Sequence, residues 1–226
     1  QQRRALWVGT PIRQDFFAPR RTPKNKKYIT LMITGGSQGA RSFASIMPLA
    51  MARLQQLLPV KTFALITIAQ QAKKDQLQAV AAAYHHMGIR AVVKDFFTDM
   101  PMRLATSDIF IGRAGASTLA EISAAAIPSI LIPFPHATDN HQWHNASLLG
   151  ARQAALMVVE KKSLTANNPA MHQLADDLAD NIYRLLTNPA QAKTIGRNIG
   201  AMAKKNAGLD LMKLAIRTIE QHIIKI

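Results

Sequence analysis

Past Tyr28, short runs of β-branched and aliphatic residues alternate with longer stretches of helical periodicity, and this alternation constrains the fold more than any other feature. Tyr28–Thr34 (YITLMIT), Val60–Thr67, Ala91–Phe96, Ile109–Ile111 and Ser129–Pro133 read as strands. Helical patterns cover about 40–58 and 72–87, and polar turns followed by further helical patterns come after the later strands. Strands separated by helices of this length pair in parallel through crossover connections. The expected fold class is therefore α/β, a parallel sheet with helices on both faces.

The two ends of the chain differ from this middle. Residues 1–27 carry Pro11, Pro19 and Pro23, eight cations and the single acid Asp15, without a sustained period. They read as a linker, with the folded domain expected over 28–226. Towards the other end, Leu174, Leu178, Ile182 and Leu185 form one helical stripe, stopped by Asn188-Pro189. Leu211, Leu214, Ala215, Ile219 and Ile223 form another, after an expected cap at Gly208, and both stripes are expected to face the core.

Composition removes several classes of chemistry. The 226 residues include no cysteine, which excludes disulfides, thiolate zinc sites and thiol nucleophiles. No apolar run of 18 residues occurs, so no membrane-spanning helix is expected. Lys and Arg outnumber Asp and Glu by 28 to 13, for a net charge of +15, so nucleic acid, an anionic membrane surface and a phosphorylated ligand all enter as partners. With aromatics at 6% and no nucleic-acid-binding signature in view, a basic nucleic-acid-binding module is the weaker reading.

In an open parallel sheet, ligands bind beyond the carboxyl ends of the strands, and three loops there stand out. Gly35-Gly36-Ser37-Gln38-Gly39-Ala40 links a strand to a helix and matches neither a Walker A loop nor GxGxxG. It reads either as a tight turn or as a phosphate contact at a helix start. In Gly112–Glu121 (GRAGASTLAE), Thr118 and Glu121 have the spacing of a capping box, which the spacing alone favours. The alternative is that Ser117 and Thr118 meet a phosphate while Glu121 accepts two ribose hydroxyls. In Pro133–Asn145 (PFPHATDNHQWHN), Asp139, Asn140, His141, Gln142 and Asn145 suit sugar hydroxyls and an acetamido group. His141 and His144 lie one turn apart, but no third metal ligand is evident nearby, and no metal or cofactor is expected. His85-His86 reads as part of a solvated helix face.

GGSQGA, DFFTDM (95–100), GRAGASTLAE (112–121) and PFPHATDNHQWHNA (133–146), in this order and spacing, resemble the MurG family. These bacterial transferases move N-acetylglucosamine (GlcNAc) from UDP-GlcNAc onto undecaprenyl-pyrophosphoryl-MurNAc-pentapeptide, lipid I, to complete lipid II. The resemblance implies a Rossmann-like sheet as one domain of a GT-B glycosyltransferase, inverting chemistry without an obligatory metal, and a cytoplasmic location, peripheral on the inner face of the plasma membrane. It also implies site roles. Arg13 would approach the diphosphate, and Ser37, Gln38 and Gly39 would line the donor pocket. Phe96 and Phe97 would meet the uracil, the second through its main chain. Ser117 and Thr118 would receive the α-phosphate and Glu121 the ribose, while His141 and Gln142 would read the GlcNAc hydroxyls.

The resemblance runs from about Val8 to the end and covers the donor-binding half only. The acceptor-binding half, with the candidate general base, is expected on a missing amino-terminal domain or a separate subunit. This chain alone is then expected to bind UDP-GlcNAc without transferring it. The competing enzyme readings are the donor subunit of a split lipid-linked GlcNAc transferase and half of a UDP-GlcNAc 2-epimerase.

Overall fold

The computed structural model describes residues 6–20, 26–36, 41–161 and 169–223. Among them, β1 (Ile29–Thr34), β2 (Ile66–Gln71), β3 (Arg90–Lys94), β4 (Ile109–Gly112), β5 (Ser129–Leu131) and β6 (Leu156–Met157) form one sheet. Its order is β3-β2-β1-β4-β5-β6, and every neighbouring pair is parallel. The intervening helices are α1 (Arg41–Leu57), α2 (Val60–Phe63), α3 (Leu77–His86), α4 (Met100–Thr106), α5 (Ala116–Ala124) and α6 (His141–Ala151). After β6 come α7 (Pro169–Thr187), α8 (Pro189–Gly200) and α9 (Ala207–Ile223).

The alternation of side chains along a strand divides the interior into two cores. Leu31 and Ile33 of β1, Ile109 and Ile111 of β4 and Ile130 of β5 pack with α1, α3 and α7. Met32, Phe110 and Leu131, from the same strands, pack on the opposite face with α4, α5 and α6. Both faces are covered, which is why β1 and β4 read as continuous apolar runs rather than alternating ones.

The order of the strands creates the crevice. Connections from β1 to β2 and β3 build the sheet outwards in one direction, and from β4 onwards it grows in the other. The loops leaving β1 and β4 therefore diverge, one towards α1 and the other towards α5 on the opposite face. Such a divergence between adjacent parallel strands is where open α/β sheets accept ligands.

Three sequence expectations need correction. The second strand begins at Ile66 instead of Val60, because Pro59 sets off a single helical turn that buries Phe63 and leaves Val60 exposed. The short strand β6 has no counterpart among the expected strands. The stripe of α7 does face the core, with Leu174, Leu178, Ile182 and Leu185 all buried, and Asn188 caps α8 through its side chain. The stripe of α9 does not: Leu211 is 46% and Ile219 57% exposed, while Leu214 is half-buried. Periodicity reports an amphipathic helix but says nothing of which surface meets it.

The stretch read as a linker packs on the domain where it is described. Gln14–Phe17 forms a 3-10 turn that buries Phe16 in the second core. Arg20 donates to the carbonyls of Ser107 (2.7 Å) and Ala126 (3.3 Å). Lys26 pairs with Asp108 at 2.7 Å, and the same carboxylate oxygen accepts the Thr30 N–H at the start of β1.

The contrast between the two stripes is measurable by denaturant unfolding. Leu178→Ala, at a fully buried position, is expected to cost about 2–5 kcal/mol. Ile216→Ala, at an exposed position on α9, is expected to stay within about 0.5 kcal/mol of the parent.

Candidate functional site

The crevice is shaped first by two glycines. Gly36 follows β1 with φ +74°, a left-handed conformation that side chains resist, and its N–H donates to Thr34 Oγ1 at 3.1 Å. Gly112 ends β4 so close to β1 that a Cβ there would lie 2.7 Å from the Thr34 carbonyl oxygen. The backbones of both strands thus come together at the point where their loops part.

From Gly112 the chain passes through Arg113 and Ala114 to Gly115, the N-cap of α5, with extended backbone (φ −72°, ψ 147°). Ala116, Ser117 and Thr118 occupy the first turn, where backbone N–H groups have no acceptor within the helix. Together with the positive end of the helix dipole they form a place for an anion. The capping-box expectation fails here. The cap is Gly115, Thr118 lies inside the helix, and no side chain bonds back to the helix end. The carboxylate of Glu121 is consequently not consumed as a cap.

Glu121 lies one turn beyond Ser117, so the two share a face of α5. Burial pushes its carboxyl above the usual glutamate value, and the nearby charge of Arg13 offsets part of that rise. Glu121 lines a cleft of about 790 Å³ together with Arg13, Phe96, Phe97, Ser117 and Thr118. The two phenylalanines have divided roles. Phe97 is buried in the second core with Arg103 stacked on its ring at 4.2 Å, so only its backbone is open to a ligand. Phe96 is 66% exposed and presents its ring at the cleft.

A second cleft of about 800 Å³ meets the first at Gly36, Ser117 and Thr118. His141 and Gln142, at the start of α6, form part of its wall. Consecutive left-handed residues, Asp139 (φ 49°) and Asn140 (φ 52°), turn the chain into α6. His141 Nδ1 lies 2.7 Å from the Thr138 carbonyl, a contact that places a proton on Nδ1, so that in the neutral ring Nε2 is the acceptor. The Gln142 side-chain oxygen accepts the Phe134 N–H at 3.1 Å, which leaves its NH₂ as the free donor.

Three polar candidates of the 133–145 loop have framework roles. Asn145 donates to the Ala114 carbonyl at 3.0 Å, holding α6 against the β4–α5 loop, and Asp139 and Asn140 serve the turn. Ser37, Gln38 and Gly39 lie outside the described residues, although Gly35 and Gly36 beside them border the second cleft. His85 and His86 are exposed on α3. Among the described residues no group of three or more His, Cys, Asp or Glu could hold a metal ion.

Sequence reasoning missed the buried pair Arg113–Glu160 on the second cleft. Its only signals were an arginine set among small residues after a strand and a lone acid after Val158-Val159.

Residues 30–209 match the family model described as the glycosyltransferase family 28 C-terminal domain. The chain belongs to this family. Curated relatives of this family 28 domain include a protein from Rhodospirillum centenum, 39% identical over 83% of this chain and 47% of its own length. Another, from Bradyrhizobium sp., is 33% identical over 93% of this chain and 55% of its own length. Both are named UDP-N-acetylglucosamine–N-acetylmuramyl-(pentapeptide) pyrophosphoryl-undecaprenol N-acetylglucosamine transferase. The chain spans about half the length of these relatives. In fold it is similar to the crystal structure of MurG from Acinetobacter baumannii, with a TM-score of 0.69 and 24% identity over 88% of this chain and 54% of that one. The family 28 domain is thus a Rossmann-like half of the GT-B architecture.

The raised carboxyl of Glu121 carries a sign that can be checked. A folded-state value above the unfolded one favours folding at low pH, and that contribution is lost as pH rises through the folded value. Glu121→Gln is therefore expected to melt at a higher temperature than the parent at pH 7. The difference should shrink towards pH 4, as read by thermal melts across that range.

Proposed function

We propose that this chain is the donor-binding half of an inverting N-acetylglucosaminyltransferase that uses UDP-GlcNAc, with lipid I as acceptor and lipid II as product. The observation that carries the reading is the meeting of two clefts at the first turn of α5, one suited to a nucleoside and the other to a sugar. A nucleotide sugar has this layout, with phosphates between its two ends. Glu121 can accept both hydrogens of a ribose diol, and Phe96 offers a ring to the base while the Phe97 backbone is available to its edge. The acceptor nitrogen of His141 and the donor NH₂ of Gln142 suit sugar hydroxyls.

In this reading the acceptor's 4-hydroxyl attacks the anomeric carbon as the bond to the diphosphate oxygen breaks, with inversion. Negative charge develops on the departing UDP. In this proposal the free N–H groups of the α5 first turn and the Arg13 guanidinium, which borders the same cleft, would meet that charge. Glu121, Phe96 and Phe97 contribute binding. We assign no general base among the described residues, and place it with the acceptor-binding half. The names of the relatives favour the transferase over the epimerase reading. Arg20 and Lys26 already have intramolecular partners, which removes them from any polyanion-binding patch. A lipid-linked acceptor would bring the protein to the membrane surface on the cytoplasmic side; no described helix is long and apolar enough to cross it.

Calorimetric titration tests the reading directly. The chain is expected to bind UDP-GlcNAc, and Glu121→Ala to weaken it by about 1.5–3 kcal/mol, the range for hydrogen bonds to a charged group. On a lipid I analogue the chain alone should give no turnover. Absence of UDP-GlcNAc binding by the folded chain would sink the proposal.

A further inference from the structure

In the wall of the second cleft lies a charge pair that is itself almost wholly buried. Arg113, 6% exposed, follows β4, and Glu160, 9% exposed, follows β6. The Arg113 Nη1 donates to Glu160 Oε2 and to the carbonyls of Ile132 (3.1 Å) and Pro133 (3.3 Å). Its Nη2 donates to Ser42 Oγ at 3.0 Å, in the first turn of α1, and Ser42 in turn donates to Glu160 at 3.4 Å. The rings of Phe43 and Phe134 lie 4.7 and 5.3 Å from the guanidinium carbon. One planar cation therefore ties together the segments following β4, β5 and β6 and the start of α1.

The tie continues to the sugar-facing side chain. Arg113 holds the Pro133 carbonyl, and the next N–H along the chain, that of Phe134, donates to the Gln142 oxygen. Fixing that backbone decides which end of the Gln142 amide is occupied and which is left free. A guanidinium suits this work because its donors form a rigid fork, whereas an ammonium is a point charge on a flexible stem. Stability gives a weaker reason to keep the charges, since a buried ion pair often contributes no more than an apolar pair of similar volume.

We propose that Arg113 and Glu160 are positioning residues for the sugar half of the donor, acting through the Pro133–Phe134 backbone on Gln142. This rests on the donor reading above. It makes discrimination between UDP-GlcNAc and UDP, rather than nucleotide binding itself, the property that the buried pair controls.

The test is calorimetric titration of the full chain with UDP and with UDP-GlcNAc, for the parent, Arg113→Lys, Glu160→Gln and the double variant Arg113→Met/Glu160→Leu. The double variant removes both charges together, so it leaves no unpaired ion and stays folded if a single variant does not; thermal melts followed by circular dichroism report which variants are folded. The expected result is UDP affinity within threefold of the parent and at least a tenfold fall in the ratio of UDP-GlcNAc to UDP affinity. An unchanged ratio in folded variants would overturn the proposal, as would equal losses for both ligands. A parent chain that binds neither ligand would instead remove the donor reading, and this proposal with it.

Discussion

The parting of β1 and β4 is the constraint on which the site depends. Their register pairs Leu31 with Ile109 and ends with Thr34 opposite Gly112, so both strands finish at the same level. From there one loop must climb to one face of the sheet and the other to the opposite face, and nothing in the sheet fills the gap between them. The glycine at 112 permits the close approach, and Gly115 starts a helix whose first turn opens towards that gap. The position of the free N–H groups follows from strand order before any side chain is considered.

Charge serves this chain in two different ways. Solvated pairs such as Arg41–Asp75 contribute little to stability. Buried or half-buried cations act as fasteners instead: Lys26 joins the incoming segment to the start of β1, and Arg20 spans two carbonyls. The net excess of +15 says little about partners until these internally engaged residues are set apart.

The fold was legible because apolar runs and helical stripes occupy distinct lengths of sequence, and because polar, glycine-containing loops mark the carboxyl ends of the strands. Six of the site candidates, Arg13, Phe96, Phe97, Ser117, Thr118 and Glu121, border one cleft. The capping box was misread because the spacing of Thr118 and Glu121 fits a helix start, whereas the extended backbone at Gly115 starts the helix three residues earlier. The destination of the α9 stripe was not legible, since periodicity carries no information about a partner surface. Glu160 escaped notice for a different reason: it lies 47 residues from Arg113, and only the sheet brings them together. Long-range polar pairs leave no local pattern.

Ser117 and Thr118 border both clefts, so one turn of helix serves as a hinge point for two kinds of recognition. A ligand gripped in one cleft presents its other end to the second at a high effective concentration, set by the covalent spacing of the ligand rather than by its level in solution. Neither cleft then needs to be tight by itself. Once the covalent link between the two ends is cut, that advantage is lost, and the two fragments leave as independent, weakly held molecules.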